Sequence, residues 1–394
     1  MMRVIFADLL GPGHVARQRL CRPGESLVWA MYRQTYYYAV DGLDRLGAPV
    51  RSLFARGASA VGRGVGELAL TFVGGGGDSG NDKAPDPDHL VFGPSGESLA
   101  VRAMSGVEPG GRRVRLWALT SERLVLAVRV ATPEVSPEPA PKSLLGKAIV
   151  FGKEMGKILV DNRRKFGEHV EGEPVAVPDF RAVVEIPRAQ IAHVQAGPSL
   201  RVLLVDGSGF EFLLESPAVT PDETVTKELT EFWLRRDERL VLGLPPIAGY
   251  VGGIVGGSLR VPWTAVSPMP PLELDKLRWP LPAPPSPQDW IDDPTLGYWV
   301  EAPTTSSSAV RLADHFAFSR GNARLAASDQ RVAVVYPTRL FEAKPASVFT
   351  TFAEIPSSAV RSLDTVHAGH SLPARQVVRL TFADGSTLHL RAPR

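Results

Sequence analysis

Short apolar runs divided by turn residues make up most of this chain after its first hundred positions. Runs of this length with turn residues between them predict antiparallel strands. The first set of predicted strands lies at 99–104, 114–119, 123–130, 180–186, 191–195, 200–205 and 210–214, and the second at 315–319, 323–327, 331–336, 349–355, 360–363, 377–382 and 387–390. We therefore expect two β-rich modules in one chain.

The N-terminal region shows a different pattern. The aromatic stretch Ser26–Leu46 and the apolar spacing at 50–72 predict two helices within residues 1–76. A glycine-rich stretch then predicts a flexible linker at 77–95. We expect a helical N-terminal region that is separate from the modules.

A closing helix and a connector are predicted between the two modules. Thr220 is the predicted cap of the helix and Pro221 its first residue. Residues 237–308 form a connector that is rich first in glycine and then in proline. Its uncharged run Leu240–Leu259 is long enough to span a bilayer, but Pro245-Pro246 divides it and glycines dilute it, which favours a buried or loop-like segment.

One stretch of the sequence is written twice. EIPRAQIAHVQ…LRVLLVDGSGFEFLLESP begins at Glu185, and EIPSSAVRSLD…ARQVVRLTFADGSTLHLRAP begins at Glu354. The copies also match at 118–124 and 326–332; they are 208 positions apart there and 169 apart at EIP, so the first copy holds 39 additional residues. Such a repeat indicates one supersecondary unit used twice. The two Asp-Gly-Ser triplets fall between apolar runs, as hairpin turns do.

These features resemble a bacterial pleckstrin-homology-like domain. The resemblance rests on the order of strands and helix, the Gly96-Glu97-Ser98-Leu99 entry and the turn LTSERL at 119–124, and it covers 96–236 and 309–394. It implies an α+β fold with two antiparallel β-barrels or sandwiches, and a binding or scaffolding role. The second copy has no helix after its last strand, so we expect another segment to cover that end.

Arginines surround the loop between the first two predicted strands of the first module. Pleckstrin-homology domains that bind inositol phosphates place basic residues in this pattern, and the resemblance assigns an anionic ligand to Arg102, Arg112, Arg113 and Arg115. Alternation would put Arg113 and Arg115 on one strand face, where two guanidinium groups could converge on phosphate. A solvated strand face with ordinary arginines explains the same pattern.

The additional residues of the first copy contain a predicted helix at about 142–166. Its apolar positions follow a spacing of four and three, which makes one apolar stripe. The basic residues that surround the stripe are Lys147, Lys153, Lys157, Arg163, Arg164 and Lys165. This helix could lie on an anionic membrane surface, dock on a partner or pack within the protein.

Composition restricts the chemistry. The lone Cys21 leaves no pair for an internal disulfide, and the net charge of +2 offers no global field for nucleic acid. His367 and His370 have a metal-ligand spacing, but a solvated loop is the favoured interpretation, and we expect no metal, cofactor or catalytic residue. No signal peptide is recognisable, so we expect a cytoplasmic protein, with the inner membrane face as one site of action.

The sequence therefore predicts a non-enzymatic interaction module that binds a protein partner or an anionic lipid surface. The alternative is a structural protein that oligomerises through its helical and glycine-rich segments. The shared residues of the two copies are those of core and turns. Function is expected in what the copies do not share.

Overall fold

The fold was analysed on a computed structural model, which describes residues 10–50, 86–110, 113–130, 172–214, 222–270, 279–342 and 345–392. The chain divides into two compact units. One contains residues 1–32, 116–182 and 215–394, and the other contains residues 33–115 and 183–214.

The repeat is longer than the duplicated stretch. The first copy consists of α1 (Pro12–Arg19), β1 (Leu27–Arg33), β2 (Tyr36–Val40), β3 (His89–Gly93), α2 (Leu99–Ala103), β4 (Arg115–Thr120), β5 (Arg123–Arg129), β6 (Phe180–Pro187), β7 (Ile191–Ala196), β8 (Ser199–Leu204) and β9 (Gly209–Leu213). The second consists of α3 (Glu223–Phe232), β10 (Leu240–Gly243), β11 (Tyr250–Val255), β12 (Ser258–Arg260), β13 (Leu296–Ala302), α4 (Ser308–Ser319), β14 (Arg324–Ser328), β15 (Arg331–Pro337), β16 (Phe349–Pro356), β17 (Val360–Ala368), β18 (Arg375–Phe382) and β19 (Thr387–Arg391). Apart from β12, the two orders agree element by element.

The sheets confirm this correspondence. The order β1-β4-β5-β6 in the first copy matches β10-β14-β15-β16 in the second, and β2-β3-β9-β8-β7 matches β11-β13-β19-β18-β17, to which β12 is added. In both copies one pair is parallel, β2 with β3 and β11 with β13. The mixed α+β, strand-rich class predicted from the sequence is confirmed. The sheets of the described residues are open and do not close into barrels.

The second copy has one core that contains both of its sheets and α4. Phe316 of α4, Val334 of β15 and Leu390 of β19 belong to the same buried cluster. The opposite face of the β10–β16 sheet is covered by α3, because Leu229 packs there with Ala333. The predicted closing helix of the first module therefore begins the second copy. It packs on one face of a sheet of that copy.

The duplicated Asp-Gly-Ser turns hold the helices α2 and α4. Leu99 N donates to Asp206 at 2.6 Å, and Ser308 N donates to Asp384 at 2.7 Å. The hydroxyl of Ser208 accepts from the Ala100 amide, and the hydroxyl of Ser386 accepts from the Ala309 amide. A side-chain acceptor satisfies amides that the first turn of a helix leaves unpaired. Each turn thus caps a helix far away in the sequence.

Several local predictions were wrong. The predicted strands at 99–104 and 315–319 are helical, as α2 and within α4, and the predicted helix Ser26–Leu46 forms β1 and β2. The local sequence pattern did not predict α2 and α4 as helices, because the side chains that cap them come from turns far away in the sequence. Residues 27–40 are rich in tyrosine and almost continuously buried, which suits strands covered on both faces.

The connector also differs from the prediction. The run Leu240–Leu259 contains β10, β11 and most of β12, so it belongs to the second copy. Asp222, two residues after the predicted cap, is the N-cap of α3, and its carboxylate accepts from two backbone amides. The second N-terminal helix at 50–72 and the helix at 142–166 lie almost wholly outside the described residues. The described part of the predicted linker at 77–95 contains β3 (His89–Gly93), so that part is a strand and not a flexible linker.

Candidate docking groove

An open groove lies between α3 and the edge strand β10, with a volume of about 460 Å³. Thr226 and Thr230 line it from the helix, and Leu234 lies beyond the helix end. Val241 lines it from the strand with 59% of its surface exposed. The groove therefore combines an apolar strand edge with a hydroxyl-bearing helix face. Glu238 and Arg239, which pair with Arg331 and Asp329, complete its lining.

The end of α3 is held in place by a buried ion pair. The Arg331 guanidinium contacts Glu238 at 2.9 Å and also donates to Trp233 O at 3.4 Å. The Trp233 and Leu234 amides both donate to Leu229 O. These contacts fix the helix against β10.

The first copy repeats these contacts residue for residue. Arg123 pairs with Glu25 at 2.8 Å and donates to Leu20 O, while the Leu20 and Cys21 amides both donate to Ala16 O. Arg22 N donates to Glu25, as Arg235 N donates to Glu238. Ala16, Leu20 and Glu25 each lie 213 positions before Leu229, Trp233 and Glu238, which makes α1 and β1 the counterparts of α3 and β10. The first-copy counterpart of the groove is thus the space between α1 and β1.

In the first copy this space is occupied by the chain itself. His370, Ser371 and Leu372 run beside β1, where Ala30 N donates to His370 O and Leu372 N donates to Ala30 O, each at 2.8 Å. Ala30 and Ser371 form a parallel β-bridge. An extended segment therefore adds to the edge of the strand that corresponds to β10.

Two buried carboxylates fix this segment to α1. Asp289 accepts from Arg17 at 2.6 Å and from the backbone amide of His370 at 2.9 Å. Asp292 accepts from the His14 amide at 3.1 Å and from the Ser371 hydroxyl at 2.5 Å. We call Asp289, Asp292, His370, Ser371 and the N-terminal half of α1 the junction.

The junction contains titratable groups with displaced pKa values. Burial alone would raise the pKa of Asp289, but hydrogen bonds from His370 and Arg17 outweigh it and hold the pKa below its ordinary value. Burial raises the pKa of Asp292, against the opposing charge of Arg375. Burial also lowers the pKa of His14. The carboxylates of Asp289 and Asp292 therefore bind groups within the protein, namely those of α1 and of the segment His370–Leu372.

Two of the arginines predicted to bind an anion, Arg115 and Arg113, differ in burial. Arg115 is buried, and its guanidinium donates to the backbone carbonyls of Gln34 and Glu108 and lies over the Tyr36 ring. Arg113 is 75% exposed and pairs with Glu108 at 3.4 Å. Both guanidinium groups thus contact Glu108, Arg115 at the backbone carbonyl and Arg113 at the carboxylate, and the anion site stays a prediction.

The other predicted residues add little further geometry. Arg102 lies in α2, and Arg112 lies outside the described residues. Lys147, Lys153, Lys157, Arg163, Arg164 and Lys165 lie there too. His370 is part of the junction, and its partner is Asp289 at 2.8 Å. Across the described ranges, the acidic, histidine and cysteine side chains form no group suited to a metal ion.

No helix of the described ranges is long and apolar enough to cross a membrane. No known family model, curated protein or solved structure matches this chain.

The groove and the junction were missed at the sequence level. A signal was present, because RPGESLV at 22–28 and RRDERLV at 235–241 follow the two helices. Gly24 and Asp237 occupy equivalent positions in the two corresponding turns, with φ of 86° and 74°. Glycine takes this left-handed conformation without cost, and aspartate is among the few other residues that tolerate it.

Proposed function

We propose that this chain is a non-enzymatic interaction module that docks on a protein partner through the groove between α3 and β10. The observation that carries the proposal is the exposed, partly apolar edge of β10 beside a hydroxyl-bearing helix face. Edge strands that expose backbone groups are sites where another chain can pair. The resemblance to bacterial pleckstrin-homology-like domains supports the same class of function.

The polar residues that the copies share support this proposal. Arg123 with Glu25 and Arg331 with Glu238 tie helix to sheet, and Asp206 and Asp384 cap helices. These side chains stabilise each copy and are occupied within it. A partner is therefore recognised through surfaces that the copies do not share, and the groove is one of these.

Site-specific photo-crosslinking in cells tests the proposal. A photoreactive residue at Val241 should give a discrete protein adduct, whereas one at Val205, which is 60% exposed on the first copy, should not. Val205 is the matched control because its exposure is nearly equal to the 59% of Val241. Equal adducts from both positions, or none from Val241, would contradict docking at the groove.

The two alternative functions have separate readouts. Salt-sensitive sedimentation with anionic but not neutral vesicles, lost in Arg113→Glu, would favour the lipid surface that the arginine loop and the helix at 142–166 predict. A molar mass that grows with concentration in light scattering would favour self-assembly. The proposal expects neither result for the purified chain.

A further inference from the structure

The segment that occupies the first-copy space shows how the second-copy groove would be filled. We propose that the groove between α3 and β10 binds an extended, uncharged peptide segment of a partner protein, which adds to β10 as a parallel strand. This inference rests on the proposed function and specifies its mode of recognition. At the junction, His370–Leu372 adds to β1 as a parallel segment.

The backbone of β10 presents the required groups. Leu244 N donates to Leu325 O of β14 at 2.9 Å, so this residue faces the neighbouring strand. Successive residues of a strand direct their backbone groups to opposite edges. The amide and carbonyl of Gly243 therefore face the free edge. Gly243 is the counterpart of Ala30, whose amide and carbonyl bind His370 and Leu372.

Leu229 of α3 packs closely on Gly243 of β10. A Cβ on Gly243 would lie 2.5 Å from Leu229 Cδ1, so the glycine allows the larger helix residue to sit on the strand. The first copy has Ala16 and Ala30 at these two places, and both are fully buried. Helix and strand therefore pack at the same place in both copies. The second copy uses a large helix residue on a glycine, and the first uses two alanines. Among the described residues, no strand pairs with the edge of β10 beyond this contact in the second copy.

The difference in lining residues sets the chemistry of the peptide. Gly13 and Arg17 of α1 contact Ser371 and His370, and their counterparts in the groove are Thr226 and Thr230. Threonine hydroxyls can bond to a neutral side chain but cannot compensate a buried charge. An uncharged residue is therefore expected where the junction has His370. Apolar residues suit the contact with Val241.

The inference can be tested with a peptide taken from the chain itself. The probe is an eight-residue peptide of residues 367–374 with His370→Thr, and binding is measured on the full chain by calorimetry and hydrogen exchange. We expect binding with protection of the Gly243 amide. The same peptide N-methylated at Leu372 lacks the amide that would donate to the strand edge, and it should bind about tenfold more weakly.

Two variants of α3 make the test specific. Thr230→Tyr fills the groove from an exposed helix position and should abolish peptide binding. Thr224→Tyr, at another exposed position of α3, should bind the peptide as the unaltered chain does. Unchanged binding in Thr230→Tyr, equal binding of the N-methylated peptide, or no binding at all would overturn strand addition. A Val241 crosslink that persists despite such a result would show that the proposed function survives without it.

Discussion

The strands β1 and β10 are counterparts in the two copies, yet their edges differ. Ala30 of β1 is bonded on its free side to His370 and Leu372, whereas Gly243 of β10 directs its backbone to an open groove. The helix ends beside both strands are fixed by the same ion pair, Arg123 with Glu25 or Arg331 with Glu238. One architecture therefore supports a closed edge in one copy and an accessible edge in the other.

The comparison shows which residues decide between these states. The shared arginine, glutamate and Asp-Gly-Ser residues hold helices in the same places in both copies. The edge of β1 is closed by His370–Leu372, and the Arg17 side chain contacts His370 and Asp289 there, whereas its second-copy counterpart is Thr230. A duplicated scaffold can thus change its surface while its internal ties remain.

The largest effect is expected at the shared ion pairs. Arg331→Met and Arg123→Met should each lower the free energy of unfolding by about 3–5 kcal/mol, because each leaves a buried glutamate without its partner. The side chains of Glu238 and Glu25 are only 0% and 5% exposed. Urea unfolding measures the change. Adding Glu238→Gln to Arg331→Met should recover part of it, and a loss below about 1 kcal/mol would refute the shared role.

A smaller effect is expected at the junction. Asp292→Ala leaves the His14 amide and the Ser371 hydroxyl without their acceptor, which should cost about 1–3 kcal/mol. Hydrogen exchange should accelerate at the start of α1 and leave α3 unchanged. Asp222→Ala, which removes the N-cap of α3, is the reciprocal control and should accelerate exchange in α3. Faster exchange in both helices after Asp292→Ala would contradict a local junction.

A further effect is a pH dependence that comes from His389, a residue of the second copy. His389 of β19 takes the place of Glu211 of β9, opposite Arg379 instead of Arg201. Burial, with a further effect of Arg379, lowers the pKa of His389 to about 4. The unfolded chain binds the proton near the ordinary value, so stability present above about pH 6.5 is lost as pH falls, by up to about 1.4 kcal/mol per pH unit.

Urea midpoints between pH 7 and pH 5 test this dependence. His389→Gln should reduce the slope of stability against pH, because glutamine does not titrate. An equal slope in the unaltered chain and in His389→Gln would refute the assignment.

The sequence predicted much of the strand set but little of the candidate site. Strands at 123–130 and 331–336 were recovered because their apolar runs are bounded by turns, and β5 and β15 lie there. The duplicated Asp-Gly-Ser was correctly placed in turns. The burial of Arg115 could not be predicted from the arginine loop, because it depends on the backbone carbonyls of Gln34 and Glu108, which accept from its guanidinium.

By itself, the sequence determined that one β-rich unit is used twice, because apolar periodicity and turn residues are local properties of the chain. Only the tertiary structure decided that 99–103 and 308–319 are helices, since carboxylates more than seventy residues away cap them. It also decided that His370–Leu372 closes one edge, while β10 has no second strand beside it in the part of the chain that the structure describes. Strand pairing and capping across such distances depend on which backbone groups meet in space, and local pattern does not record that.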